Sequence, residues 1–193
     1  MDAHRPVIIY ISAAANLMAE REGLARMIAE LPVTLAWHIV QTPTGAEPVD
    51  RESLLAADLY FLVMGADIRA PVGLELHVAQ QANRPVVAFL RRGAAYTPAG
   101  EVFVRQAQLQ WRSFGNAVDL SQQVQRIIIE HLLRYAIQYA LTPVEMQQLE
   151  SLLTINQPKK QTIEEEGAGH SAVLLSPERY RPSEGVIVDD SSN

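Results

Sequence analysis

Short apolar runs rich in β-branched residues recur along this chain, separated by helix-forming stretches, and that alternation narrows the fold more than any other feature. PVIIYIS (6–12) is compact and strand-like. The next stretch, LMAEREGLARMIAEL (17–31), places Leu17, Leu24, Ile28 and Leu31 on one helical face. VTLAWHIV (33–40), DLYFLVM (58–64) and RPVVAFL (84–90) are further buried strands, and helices begin between them near Asp50 and Gly73. WRSF (111–114) supplies a fifth, shorter strand after a helix near residues 100–109. Strands that alternate with helices need right-handed crossovers, which put helices on both faces of a parallel sheet. The expected fold is therefore three-layer α/β and flavodoxin-like, with a five-stranded parallel sheet of order 2-1-3-4-5.

C-terminal helices and a tail follow. A helix over residues 119–140 carries two apolar stripes. One holds Val124, Ile128, Leu132, Tyr135 and Tyr139, and the other Ile129, Leu133, Ala136 and Ala140. A helix buried on two sides either forms a homodimer interface or lies under another helix, for which TPVEMQQLESLL (142–153) is available. After Leu153 the composition changes to NQPKKQTIEEEGAGHS, a linker pattern, so residues 1–153 are read as the domain and 154–193 as an acidic, mostly disordered tail. Two islands in it, AVLL and GVIV, have the composition to pair with a sheet edge here or on a protein partner.

Charge and composition exclude several classes of function. The formal net charge is −6, shared equally between body and tail, and neither part has a basic stripe for nucleic acid. No apolar run reaches the roughly 18 residues of a membrane span. No cationic leader opens the sequence, so a soluble, cytoplasmic protein is expected. Cysteine is absent, and His4, His38, His77, His131 and His170 form no pair at metal-ligand spacing. The glycines make no dinucleotide-binding or P-loop pattern. Neither a metal nor a cofactor is expected.

In an open α/β sheet of this order, ligands bind beyond the carboxyl ends of the strands, between the first and the third. The first strand end delivers Tyr10, Ser12 and the segment to Asn16; the third delivers Gly65, Asp67 and Arg69, and then Glu75 on the next helix. Tyr10, Ser12, Asn16, Gly65 and Arg69 are the candidate substrate-binding residues, and Glu75 and Asp67 the candidate catalytic ones. Each has a plainer reading. An acid in the first turn of a helix gains roughly 0.3–1 kcal/mol from the helix dipole alone. Asp67 equally suits a turn, and Ser12 a bond to a backbone amide. Arg91, Arg92 and Gly93 at the fourth strand end suit either a phosphate or a solvated charge pair.

These residues carry a resemblance. IIYIS is similar to the IYLAG opening of nucleoside 2-deoxyribosyltransferases, and PVGLELHVAQQANRPVVAF to their GTxxExGxAxxxGKPV segment, over residues 7–90. The resemblance implies that Glu75 attacks an anomeric carbon and forms a sugar ester, with Asp67 and Tyr10 at the family's aspartate and tyrosine positions. Pro71-Val72 replaces the family's Gly-Thr, which removes a close backbone approach and a hydroxyl. ISAAANLMAEREGL, with Ser12, Glu20 and Arg21, resembles bacterial signalling and defence domains of the same superfamily, and bacterial TIR domains, which cleave NAD, also place a glutamate after the third strand. The implied function is hydrolysis or transfer at an N-glycosidic bond of a nucleoside, nucleotide or NAD-like molecule. The alternative is a catalytically silent nucleotide- or protein-binding signalling module of the same fold.

Overall fold

The computed structural model describes residues 5–45 and 47–155. In chain order the elements are β1 (Val7–Ala13), α1 (Met18–Ala29), β2 (Trp37–Gln41), α2 (Arg51–Ala56), β3 (Leu59–Met64), α3 (Ala70–Gln81), β4 (Val86–Arg91), α4 (Pro98–Gln106), β5 (Trp111–Phe114), α5 (Ala117–Arg134) and α6 (Pro143–Ile155). All strand pairs are parallel and the order is β2-β1-β3-β4-β5, as expected.

The two-residue period of the strands sorts the core into two layers. Ile9 and Ile11 of β1 and Phe61 and Val63 of β3 face one side, where Leu24 and Ile28 of α1 and Val124, Ile128 and Leu132 of α5 cover them. Tyr10, Tyr60 and Leu62 face the other side, against Leu54 of α2 and Val72, Leu76 and Ala79 of α3. Each such aliphatic side chain contributes about 1.5–3 kcal/mol by leaving water. Caps set where the helices begin: Asp50 accepts from the Ser53 amide at 2.9 Å, Thr97 from Gly100 at 3.1 Å and Asn116 from Asp119 at 2.9 Å. No helix among the described residues is long and apolar enough to cross a membrane.

The structure corrects two helix boundaries. α3 starts at Ala70 rather than near Gly73, because Pro71 fits the first turn, where its missing amide hydrogen costs nothing. The expected helix over 119–140 ends at Arg134, and the chain then turns, with Ala140 in the left-handed region at φ 49°. Ile129 is buried, and Leu133 and Ala136 pack half-buried alongside Leu149 and Met146 of α6. α6 thus covers Ile129 and part of Leu133 and Ala136, while Ala140, the last residue of the second stripe, is exposed. α6 runs to Ile155, past the expected boundary at Leu153. The AVLL and GVIV islands lie outside the described residues.

Glu145 fastens α6 to the sheet. With Thr142 it forms a reciprocal capping box: the carboxylate accepts from the Thr142 amide and hydroxyl at 2.8 and 2.7 Å, while Thr142 accepts from the Glu145 amide at 3.3 Å. Its other oxygen accepts from the amide and hydroxyl of Thr34, in the loop before β2, at 2.6 and 2.8 Å. The backbone amides of Thr142 and Thr34, followed by the two hydroxyls, pull the Glu145 carboxyl down to about 2. A depressed acid stabilises the fold above its ordinary value of 4.5 and loses that contribution as pH falls towards about 2. Glu145→Gln is expected to cost about 1–3 kcal/mol at pH 7, by unfolding in urea. The gap between parent and variant should narrow below pH 4.5; a gap constant through the acid range would contradict this account.

Candidate functional site

β1 and α3 bring three of the sequence-derived site residues together. Tyr10 and Ser12 lie two apart on β1 and face the α3 layer, and Glu75, in the second turn of α3, points down onto them. The Tyr10 hydroxyl donates to Glu75 Oε1 at 2.9 Å, and the Ser12 hydroxyl donates to Oε2. A third donor comes from the end of β2: the Thr42 hydroxyl donates to the same Oε2 at 2.7 Å while accepting from the Ala13 amide at 3.0 Å. Glu75 has 0% of its surface exposed. Because α3 begins at Ala70, Glu75 lies beyond the helix's first turn, where the dipole acts most strongly on an acid.

Arg21 supports this knot from α1. Although buried, its guanidinium is held by two bonds: Nε donates to Gln41 at 2.9 Å and Nη2 to the Thr42 carbonyl at 2.6 Å. Arg21 and Glu75 act on each other through space without forming an ion pair. Burial pushes the Glu75 carboxyl above the ordinary glutamate value, and the three hydroxyls and Arg21 offset that only in part. Burial likewise lowers Arg21 and raises Tyr10, the latter helped by the Glu75 charge. Tyr60, edge-on to Tyr10 with ring centroids 5.8 Å apart, is buried beside Ser12, yet its hydroxyl makes no hydrogen bond of good geometry among the described residues.

The remaining expected residues lie elsewhere. Asp67 accepts from the Thr97 hydroxyl at 2.5 Å, and the Thr97 amide donates to Ala66 at 3.0 Å, so the loop after β3 is tied to the start of α4. Gly100 allows that approach, since a Cβ there would come within 2.7 Å of the Ala66 carbonyl oxygen. Arg69 is exposed at the N-cap of α3 and caps nothing with its side chain. Asn16 and Gly65 instead line an open cavity of about 410 Å³ at the carboxyl ends of the strands. Leu17, Arg91, Arg92 and Gly115 also line it, and Glu75 does not. Arg91 pairs with Glu20 and Arg92 with Asp119, each at 3.3 Å. Among the described residues no group of three or more histidines and acids could hold a metal ion.

Thr42 and the role of Arg21 went unread in the sequence. The strand order carried a usable signal, because β2 beside β1 places the residue after its end next to Ala13. No family model, curated protein or solved structure matches the chain. The resemblance to N-glycosidic enzymes therefore rests on its short motifs alone.

A raised acid has the opposite linkage to Glu145. Its contribution is present below the ordinary value of 4.5 and is lost as pH rises through the higher folded-state value. Urea midpoints of the parent should accordingly fall relative to those of Glu75→Gln as pH rises from 4.5 towards neutrality. Parallel curves would show that the folded state does not disfavour the Glu75 charge. Thr42→Val strips one donor from Glu75 and the acceptor from the Ala13 amide, and should cost about 1–3 kcal/mol at pH 7 in the same assay.

Proposed function

We propose that the chain is a ligand-binding module of flavodoxin-like build, silent towards N-glycosidic bonds. Its cavity at the carboxyl ends of β1, β3 and β4 takes a phosphate-bearing small molecule of the nucleotide class. One observation carries this reading: the carboxylate and the cavity are separate places. Glu75 is sealed under α3 with three hydroxyls on its oxygens, whereas the open cavity is lined without it. A nucleophilic carboxylate must bring a bare oxygen to about 3–3.5 Å from the anomeric carbon. No substrate reaches Glu75 in this arrangement.

The cavity suits an anion. Arg92 is 67% exposed in its side chain and Asp119 32%, so theirs is a surface pair, whereas Arg91, 43% exposed, pairs with a Glu20 that is 7% exposed. A surface pair typically contributes about 0–1 kcal/mol, so a phosphate can displace Asp119 from Arg92 with little loss, while Arg91 stays on the buried Glu20 and adds its charge to the rim. Gly93, at φ 69°, makes the turn beyond β4, and a Cβ there would meet open space. The backbone at the rim therefore leaves room for a ligand.

A second reading, cleavage of an N-glycosidic bond through Glu75, is favoured by the convergence of Tyr10, Ser12 and Glu75 and by the upward shift of the acid. It requires α3 to lift and uncover the carboxylate. Nucleosides, nucleotides and NAD, incubated with the full chain, separate the two readings by calorimetry for binding and chromatography for released base. The binding module predicts that a nucleotide binds without release of base, that Arg92→Gln weakens it at least about tenfold, or 1.4 kcal/mol, and that Glu75→Gln binds as the parent does. Release of base that disappears in Glu75→Gln would replace this proposal with the enzymatic one, and failure of every phosphate-bearing probe to bind would overturn it.

A further inference from the structure

At the opposite end of the sheet, where β1, β3 and β4 begin, lies a second cavity of about 290 Å³. Arg5, Asp58 and Arg84, from the segments entering those three strands, line one part of it. His131 near the end of α5, with Tyr135 and Tyr139 from the turn after it, lines another. We propose that this cavity is a small-molecule site for a planar ring bearing one carboxylate or phosphate group. The inference is independent of the cavity at the carboxyl ends.

The charges point to an anion. Asp58 is already committed: one oxygen accepts from Arg5 at 2.8 Å and the other from the Ile8 amide at 2.8 Å. Arg5 gives a further bond to the Ala56 carbonyl at 3.2 Å. Arg84 is held only through its backbone, whose amide donates to Ala79 at 2.9 Å. Its guanidinium makes no hydrogen bond or ion pair among the described residues, and Arg84 is exposed and lines a cavity whose one carboxylate is spent. Burial pushes His131 down, and its Nε2 shares a 2.9 Å hydrogen bond with the Tyr139 hydroxyl. The uncompensated charge is therefore that of Arg84, whose planar fork matches the two oxygens of a carboxylate or phosphate.

The aromatic wall points to a ring. The His131 ring lies 4.8 Å from that of Tyr135 and 5.8 Å from that of Tyr139, both tilted. Tyr139 is buried by this packing, whereas Tyr135 is 42% exposed and offers ring surface to the cavity. A ligand ring placed against Tyr135 extends the stack, and its acidic group then faces Arg84.

Benzoate and phenyl phosphate, titrated into the full chain by calorimetry and by NMR of the His131 ring, test the proposal. Saturable one-to-one binding of either probe is expected, with a matching shift of the His131 signals. Binding of benzoate alone assigns the site to carboxylates, of phenyl phosphate alone to phosphates, and of both to the shared anion. Arg84→Gln should weaken binding at least tenfold while the far-ultraviolet dichroism stays unchanged, and Tyr135→Ala should weaken it several-fold. Arg92→Gln, at the other cavity, should leave it unaltered. Absence of saturable binding by both probes would overturn the proposal, as would equal affinity in Arg84→Gln or loss of affinity in Arg92→Gln.

Discussion

A carboxylate that never meets water governs the carboxyl end of this fold. Removing an ion from solvent costs several kcal/mol even after the protein relaxes around it, and the cost is tolerated only where hydrogen-bond donors offset much of it. Glu75 finds three, from Tyr10 and Ser12 on β1 and from Thr42 just past β2. Each donor is thereby fixed in place. Thr42 in turn accepts from the Ala13 amide, and Arg21 grips its carbonyl, so α1, α3 and the ends of two strands are held by one connected set of bonds. Loss of one member strands a buried polar group on another, which makes the set cooperative.

The same residue type does the opposite electrostatic work at Glu145. Backbone amides and hydroxyls hold that carboxylate ionised, so acid weakens the attachment of α6. Desolvation dominates at Glu75, and there the rise of pH weakens the knot. The difference arises from the setting. Glu145 sits at a helix start with two amides aimed at it, while Glu75 is pressed between α3 and the sheet and receives only hydroxyls. Hydroxyls rotate and can accept as well as donate, so a protonated Glu75 is tolerated, whereas each oxygen of Glu145 also faces a backbone amide that can only donate.

Much of this was legible before the structure. The sheet order followed from alternation and crossover handedness, and Tyr10, Ser12 and Glu75 were marked from their positions at strand ends. What escaped reading has physical causes. Pro71 looked like a departure from a motif, but its fixed φ opens α3 three residues early and so puts Glu75 past the first turn. Thr42 is distant from Glu75 in sequence, and only the packing of α3 against the ends of both strands joins them. Asp67 was read from its nearness in sequence to the crevice, while its partner, Thr97, arrives from the other side of β4. Tyr135 and Tyr139 continue the α5 spacing, yet the helix has ended before them, and the turn gives them to a second cavity. Periodicity reports a face, not where a helix stops.

The functional reading depends on one physical state: Glu75 sealed from anything in solution. A nucleophile would have to be open, at least transiently, whereas a strut must stay closed as long as the chain is folded. Carbodiimide-mediated labelling of carboxylates with an amine, read by peptide mass spectrometry under native conditions, compares Glu75 with the exposed Glu22 and Glu52 in one sample. The account predicts that Glu22 and Glu52 react rapidly while Glu75 stays unmodified until the chain is unfolded. Labelling of Glu75 at a rate approaching theirs in the folded protein would contradict it.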